Sequence, residues 1–119
     1  MINKDTKICI SVASTPSNFG TTLHNAGYTF MGLNFLYKAF GISDIEGAIT
    51  GVRALGIRGC SVSMPFKKTV IPFLDSLDES AAAIGAVNTI LNDNQILIGY
   101  NTDVVGAQVA LESIKADPK

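Results

Sequence analysis

The stretch "GIRGCSVSMPFKKTV", residues 56–70, decides how the chain is read. Behind Gly56, "IRGCSVS" reads as a buried strand over residues 57–63, and Pro65 ends it by forcing a turn. The turn then carries an aromatic ring and two lysines, Lys67 and Lys68. A core strand that runs straight into a cationic turn fits the open end of a sheet, where one amine is offered to a ligand. The other reading of the same residues is a solvated loop.

Working outward, Ser43 followed three residues later by Glu46 is a capping-box pattern. Ile45, Ala48, Ile49 and Val52 form the apolar face of the helix it starts, which stops at Gly56. Further upstream, "KICISVAS" (7–14) is apolar on successive residues, the pattern of a strand buried on both faces. Phe19, Leu23, Ala26 and Phe30 recur at helical spacing up to Gly32, and "NFLYKAF" (34–40) reads as a second strand. The order strand, helix, strand, helix, strand argues for right-handed crossovers over a parallel sheet.

Downstream, "SAAAIGAV" is a short helix with Ser80 as its N-cap, leading into a strand over 87–91. Asn92, Asp93 and Asn94 make a turn before "QILIGY" (95–100), which predicts an antiparallel hairpin. A last helix is expected from Thr102 or Asp103 to about Lys115. The fold class is therefore α/β: a mostly parallel open sheet with one antiparallel hairpin and helices on both faces.

At 119 residues, the chain is expected to form one domain with a real core. Hydrophobic residues make up 47% and charged ones 16%, a globular composition. A formal charge of −1 gives no electrostatic reason for a nucleic-acid or membrane partner. With no long apolar run and no signal-peptide pattern, the expected location is cytoplasmic. Cys9 and Cys60 lie in separate apolar runs and read as two reduced, buried thiols. With His24 the single histidine, no metal site is expected. His24 itself reads as a packed or half-exposed helix residue.

Ligands of open α/β sheets settle beyond the carboxyl ends of the strands. Three polar clusters fall there: "STPSN" after the first strand, "SMPFK" after the third, and "NTD" (101–103). "VNT" (87–89) reaches the same end from the start of the hairpin. Lys67 and Asp103 stand out, because an amine held by a carboxylate can do acid/base work on a hydroxyl, or stay charged and orient it. Asp103 serves equally as an N-cap, and Asn88 and Asn101 as turn ligands. No glycine-rich phosphate loop is present, so these residues carry no nucleotide-binding signature.

With those clusters in view, "GCSVSMPFKKTV", "AAAIGAVNTI" and "GYNTDVVG", with "LHN" (23–25) as a weaker fourth block, resemble the N-terminal substrate-binding domain of the shikimate dehydrogenase family. The resemblance covers nearly the whole chain and implies the fold of an amino-acid dehydrogenase-like N-terminal domain. It implies Lys67 and Asp103 as the catalytic pair, and Ser63 and Asn88 as ligands of a small polyhydroxylated cyclic carboxylate. The cofactor, NADP(H), would be held by a C-terminal Rossmann domain that these 119 residues do not include, so the chain alone would turn nothing over.

One block departs from the family pattern. Where members read S-x-S-P-x-x-H-N, with both serines on the substrate carboxylate, this chain reads "NFGTTLHN", placing Asn18 and Gly20 at the serine positions. Loss of two hydroxyl donors costs about 1.5–3 kcal/mol each unless others replace them. Asn18, Ser17, Thr21 and Thr22 are the nearby replacements, with Asn18 and Thr22 the assigned substrate ligands. The resemblance therefore implies a shikimate dehydrogenase-like paralogue, weak on shikimate or shifted towards quinate or an analogue. A non-catalytic metabolite sensor of the same fold is the alternative, against which the retention of Lys67 and Asp103 counts.

Overall fold

The computed structural model describes residues 2–103. The elements run β1 (Lys7–Ala13), α1 (Phe19–Met31), β2 (Phe35–Gly41), α2 (Ile45–Leu55), β3 (Gly59–Val62), β4 (Ser76–Leu77), α3 (Glu79–Ile84), β5 (Thr89–Asp93) and β6 (Ile96–Tyr100). A 3-10 turn, Ile71–Phe73, precedes β4. The expected C-terminal helix lies, from residue 104 onward, outside the described residues.

The strands form a six-stranded sheet in the order β2-β1-β3-β5-β6-β4. β1 pairs in parallel with β2 and β3, and β4 with β6, while β5 is antiparallel to both β3 and β6. Every strand except β5 therefore points the same way, as the expected mostly parallel sheet with a hairpin requires.

Register decides which face each side chain takes. Cys9 is opposite Tyr37 and Ser11 opposite both Ala39 and Ser61, so these residues share one face. Ile10, Val12, Cys60 and Val62 share the other, where they pack with Ile49 and Val52 of α2. α1 lies on the first face, with His24 stacked 4.4 Å from Tyr37. Its Asn25 amide donates to Tyr37 O and accepts from Tyr37 N, both at 2.8 Å, and Thr21 Oγ1 accepts from Ala39 N at 3.1 Å.

The starts of α2 and α3 differ from the sequence reading by one or two residues, for a common reason. α2 is capped by Asp44, whose carboxylate accepts from Gly47 N at 3.0 Å, rather than by Ser43. α3 is capped by Asp78, whose carboxylate accepts from both Ser80 N and Ser80 Oγ, so Ser80 sits inside the first turn. In each case the aspartate outcompetes a nearby serine, since a charged acceptor also suits the positive end of the helix. Those two bonds hold the Asp78 carboxyl below its usual range. Asp44→Ala is expected to cost about 1 kcal/mol in urea unfolding, and Ser43→Ala less than about 0.5 kcal/mol. Equal losses from the two variants would restore the Ser43 cap.

The C-terminal ends follow the sequence. Gly32 and Gly56 take left-handed φ values of 68° and 65°, and Leu33 N and Ile57 N reach back to Tyr28 O and Val52 O. Of the two cysteines, Cys60 is buried and its thiol is pushed up to about 12 by burial, whereas Cys9 is only half-buried. Among the described residues no helix is long and apolar enough to cross a membrane.

Candidate active site

The reversed strand β5 assembles the site. Because the other strands share a direction, the residues after β1, β3 and β6 emerge at one edge of the sheet. The chain enters β5 at that same edge, so Asn88 arrives beside them. Backbone bonds stitch these segments together: Ser63 N to Val12 O at 3.0 Å, Val62 N to Asn88 O at 2.9 Å, and Asn88 N to Tyr100 O at 3.0 Å.

Lys67 follows a turn containing a cis Met64–Pro65 bond and is held by its neighbours. Phe66 is buried, Val70 is fully buried, and Val87 N donates to Lys67 O at 2.7 Å. On the other side, Asn101 is 4% exposed and donates its amide to Ala86 O, while its backbone N–H reaches Ser80 Oγ. Its side-chain oxygen accepts from Asp103 N at 3.0 Å, which sets the start of the segment carrying the carboxylate.

The outcome is that Lys67 Nζ lies 3.9 Å from Asp103 Oδ2, across 36 positions of sequence, with the lysine side chain 32% and the aspartate 73% exposed. The contact is an ion pair longer than a hydrogen bond. A pair this exposed contributes about 0–1 kcal/mol to stability. Lys68 is exposed, as a solvated residue should be.

The remaining candidates separate. Ser63 lines an open cavity of about 580 Å³, together with Ser11, Ser14, Thr15 and Ser61, on the face that α1 partly covers. Asn18 and Thr22 are exposed and do not line it; Ser17 and Gly20 do. Asn18 serves as the N-cap of α1 without a side-chain cap bond. Thr21 is already engaged with Ala39 N. Asn88 is latched to Thr102: its Oδ1 accepts from Thr102 N at 3.0 Å and its Nδ2 donates to Thr102 Oγ1 at 3.0 Å. That leaves one amide N–H for a ligand.

Sequence reasoning missed Ser11, Ser61 and Tyr37 as cavity residues, because each sits inside a strand that reads as core. The signal was there in part. Alternation along β1 and β3 puts their serines on the face opposite the apolar cluster, and "LHN" supplies both residues that hold Tyr37.

The sequence profile described as "Shikimate dehydrogenase substrate binding domain" matches residues 17–90. A shikimate dehydrogenase-like protein of Haemophilus influenzae is 62% identical over 112 residues, which are 94% of this chain and 41% of that protein. A shikimate dehydrogenase (NADP(+)) of Chlorobaculum tepidum is 50% identical over 103 residues, covering 81% of this chain and 35% of the relative. A solved shikimate 5-dehydrogenase-like protein superposes with a TM-score of 0.93 at 60% identity, over 97% of this chain and 43% of that one. The chain thus spans 35–43% of the length of these relatives. A profile match over most of the sequence, a superposition with a TM-score of 0.93 and relatives of such identity place the chain in the shikimate dehydrogenase family, within its N-terminal substrate-binding domain.

Proposed function

We propose that this chain is the substrate-binding and catalytic half of an NADP-dependent oxidoreductase that interconverts an alcohol and a ketone on shikimate, quinate or a related polyhydroxylated cyclic carboxylate. The observation that carries the reading is the 3.9 Å approach of Lys67 Nζ to Asp103 Oδ2 at the edge where the strand ends converge. The described residues contain no nucleotide-phosphate loop, so NADP(H) is assigned to residues outside them. When bound, it supplies or accepts the hydride at the carbinol carbon.

The roles of the chain's own residues follow from position. Lys67 touches the reacting hydroxyl and moves its proton, and Asp103 holds the amine at the distance that transfer needs. No described side chain takes a hydrogen bond from Lys67 Nζ, so its donors are available to a substrate oxygen. Ser63 and the remaining amide N–H of Asn88 orient neighbouring ring hydroxyls. The carboxylate is received by the hydroxyl-lined cavity on the α1 face, where the Ser14–Ser17 stretch stands in for the serines missing at positions 18 and 20.

The test is steady-state NADPH formation by the complete enzyme with shikimate and quinate. Turnover of at least one is expected, and Asp103→Asn is expected to lower kcat by about tenfold. A complete enzyme that binds these acids in calorimetry yet forms no NADPH would make the domain a sensor.

A further inference from the structure

We infer that Tyr37 is a specificity-determining substrate ligand, its phenolic hydroxyl donating to the substrate's carboxylate in the cavity on the α1 face. This rests on the functional reading above and assigns the group that compensates for the unusual α1 start.

Tyr37 is a buried residue, only 7% exposed, in the middle of β2. Its backbone is gripped by the Asn25 amide, and its ring is backed by the His24 imidazole at 4.4 Å. The ring is therefore aimed, and it points at the first turn of α1. A methyl group built on Gly20 would sit 3.5 Å from Tyr37 Oη and 3.6 Å from Cε1. Tyr37 and Gly20 both line the cavity that also holds Ser11, Ser61 and Ser63.

Among the described residues no side chain or backbone group bonds Tyr37 Oη, although buried tyrosine hydroxyls ordinarily find one. The buried polar atom without a partner among the described residues is Arg53 Nε, so Tyr37 Oη keeps access to open space. The cavity that Tyr37 lines is, among the described residues, the open space beside it. Glycine at position 20 keeps that access open: a larger side chain there would stand between the phenol and the ligand.

Donors from β1, β2 and β3 thus converge on one oxygen-rich ligand group, and all of them are neutral hydroxyls. A carboxylate accepts several such bonds at once, and those to a charged acceptor are the stronger ones. In the family pattern a serine at position 20 would bring a hydroxyl from the helix. Here the hydroxyl comes from the strand behind it.

The experiment is Tyr37→Phe in the complete enzyme, assayed with shikimate or quinate and NADP(+). Removal of one hydroxyl should raise KM about tenfold and leave kcat within about twofold. Gly20→Ser on the Tyr37→Phe background should bring KM most of the way back, a recovery that a merely structural tyrosine would not give. Gly20→Val, which leaves Tyr37 intact but covers its hydroxyl, should raise KM to a similar degree. It serves as the second variant if Tyr37→Phe melts early. An active enzyme whose KM is unmoved by either Tyr37→Phe or Gly20→Val overturns the role of Tyr37 while leaving the functional reading intact. A wild-type enzyme that accepts neither acid removes both.

Discussion

Lys67→Ala is expected to lower kcat of the complete enzyme by about a hundredfold, or about 2.7 kcal/mol of transition-state stabilisation, with KM changed much less. The expectation follows from what the structure does with this side chain. The buried Phe66 and the Val87 N–H to Lys67 O bond fix the backbone, and Asp103 is the acid within reach. Deleting the amine leaves the cavity walls at Ser11, Ser61 and Ser63 untouched, so substrate should still bind. On the proposed function, what is lost is the group that exchanges a proton with the reacting oxygen, an exchange that matters only on the way to the transition state. The alternative assigns Lys67 to binding, and it predicts the reverse pattern of a large rise in KM at constant kcat. The two are separated by one pair of saturation curves. Unfolding should barely notice the change, because an ion pair this exposed holds little of the fold together.

Gly99→Val is expected to destabilise the domain by about 3 kcal/mol, seen as a lower urea midpoint at unchanged m-value, with Gly99→Ala losing less. Gly99 faces the core from β6, and a Cβ there would meet Leu74 Cδ1 and Val87 Cγ2 at 2.8 Å and Leu77 Cδ2 at 3.0 Å. Val87 is fully buried and β-branched, so it cannot turn away cheaply. The leucines belong to the short segment that enters β4, which is pinned by Asp75. That carboxylate accepts from Leu97 N at 2.7 Å and pairs with Arg53 at 2.9 Å. Val87 is therefore the neighbour that resists the added group, while the two leucines must move their terminal methyls to admit it. A Gly99→Ala variant of wild-type stability would show that the segment can slide outward after all.

These two residues also show what the sequence could and could not disclose. The alternating βα order was legible because Ile49 and Val52 recur at helical spacing and Gly32 and Gly56 mark helix ends, all features local to a few residues. Lys67 and Asp103 could be paired before any coordinates because both follow strands that a parallel sheet must end on one side. The segment 71–77 was not legible: a 3-10 turn of three residues and a strand of two carry no period to read. The spacing of "QILIGY" identified a strand, yet nothing in it told that Gly99 is required by side chains from positions 74, 77 and 87. The helix caps went to Asp44 and Asp78 because candidates one or two residues apart differ by a charge, which the residue pattern alone does not weigh. The S-x-S-P-x-x-H-N pattern is what points to Asn18 and Thr22. Ser14, Thr15, Pro16, Ser17 and Gly20 line the cavity, and which residues do so depends on where α1 starts.

The grip of α1 on β2 has a consequence for how copies of this molecule can meet. Asn25 and Thr21 occupy the outward amide of Tyr37, its carbonyl and the outward amide of Ala39, groups that would otherwise recruit an incoming extended chain. At the opposite margin β4 offers only two residues, too short a template for lasting pairing. Among the described residues, both margins of the sheet thus present little continuous backbone for a strand of a second molecule to pair with.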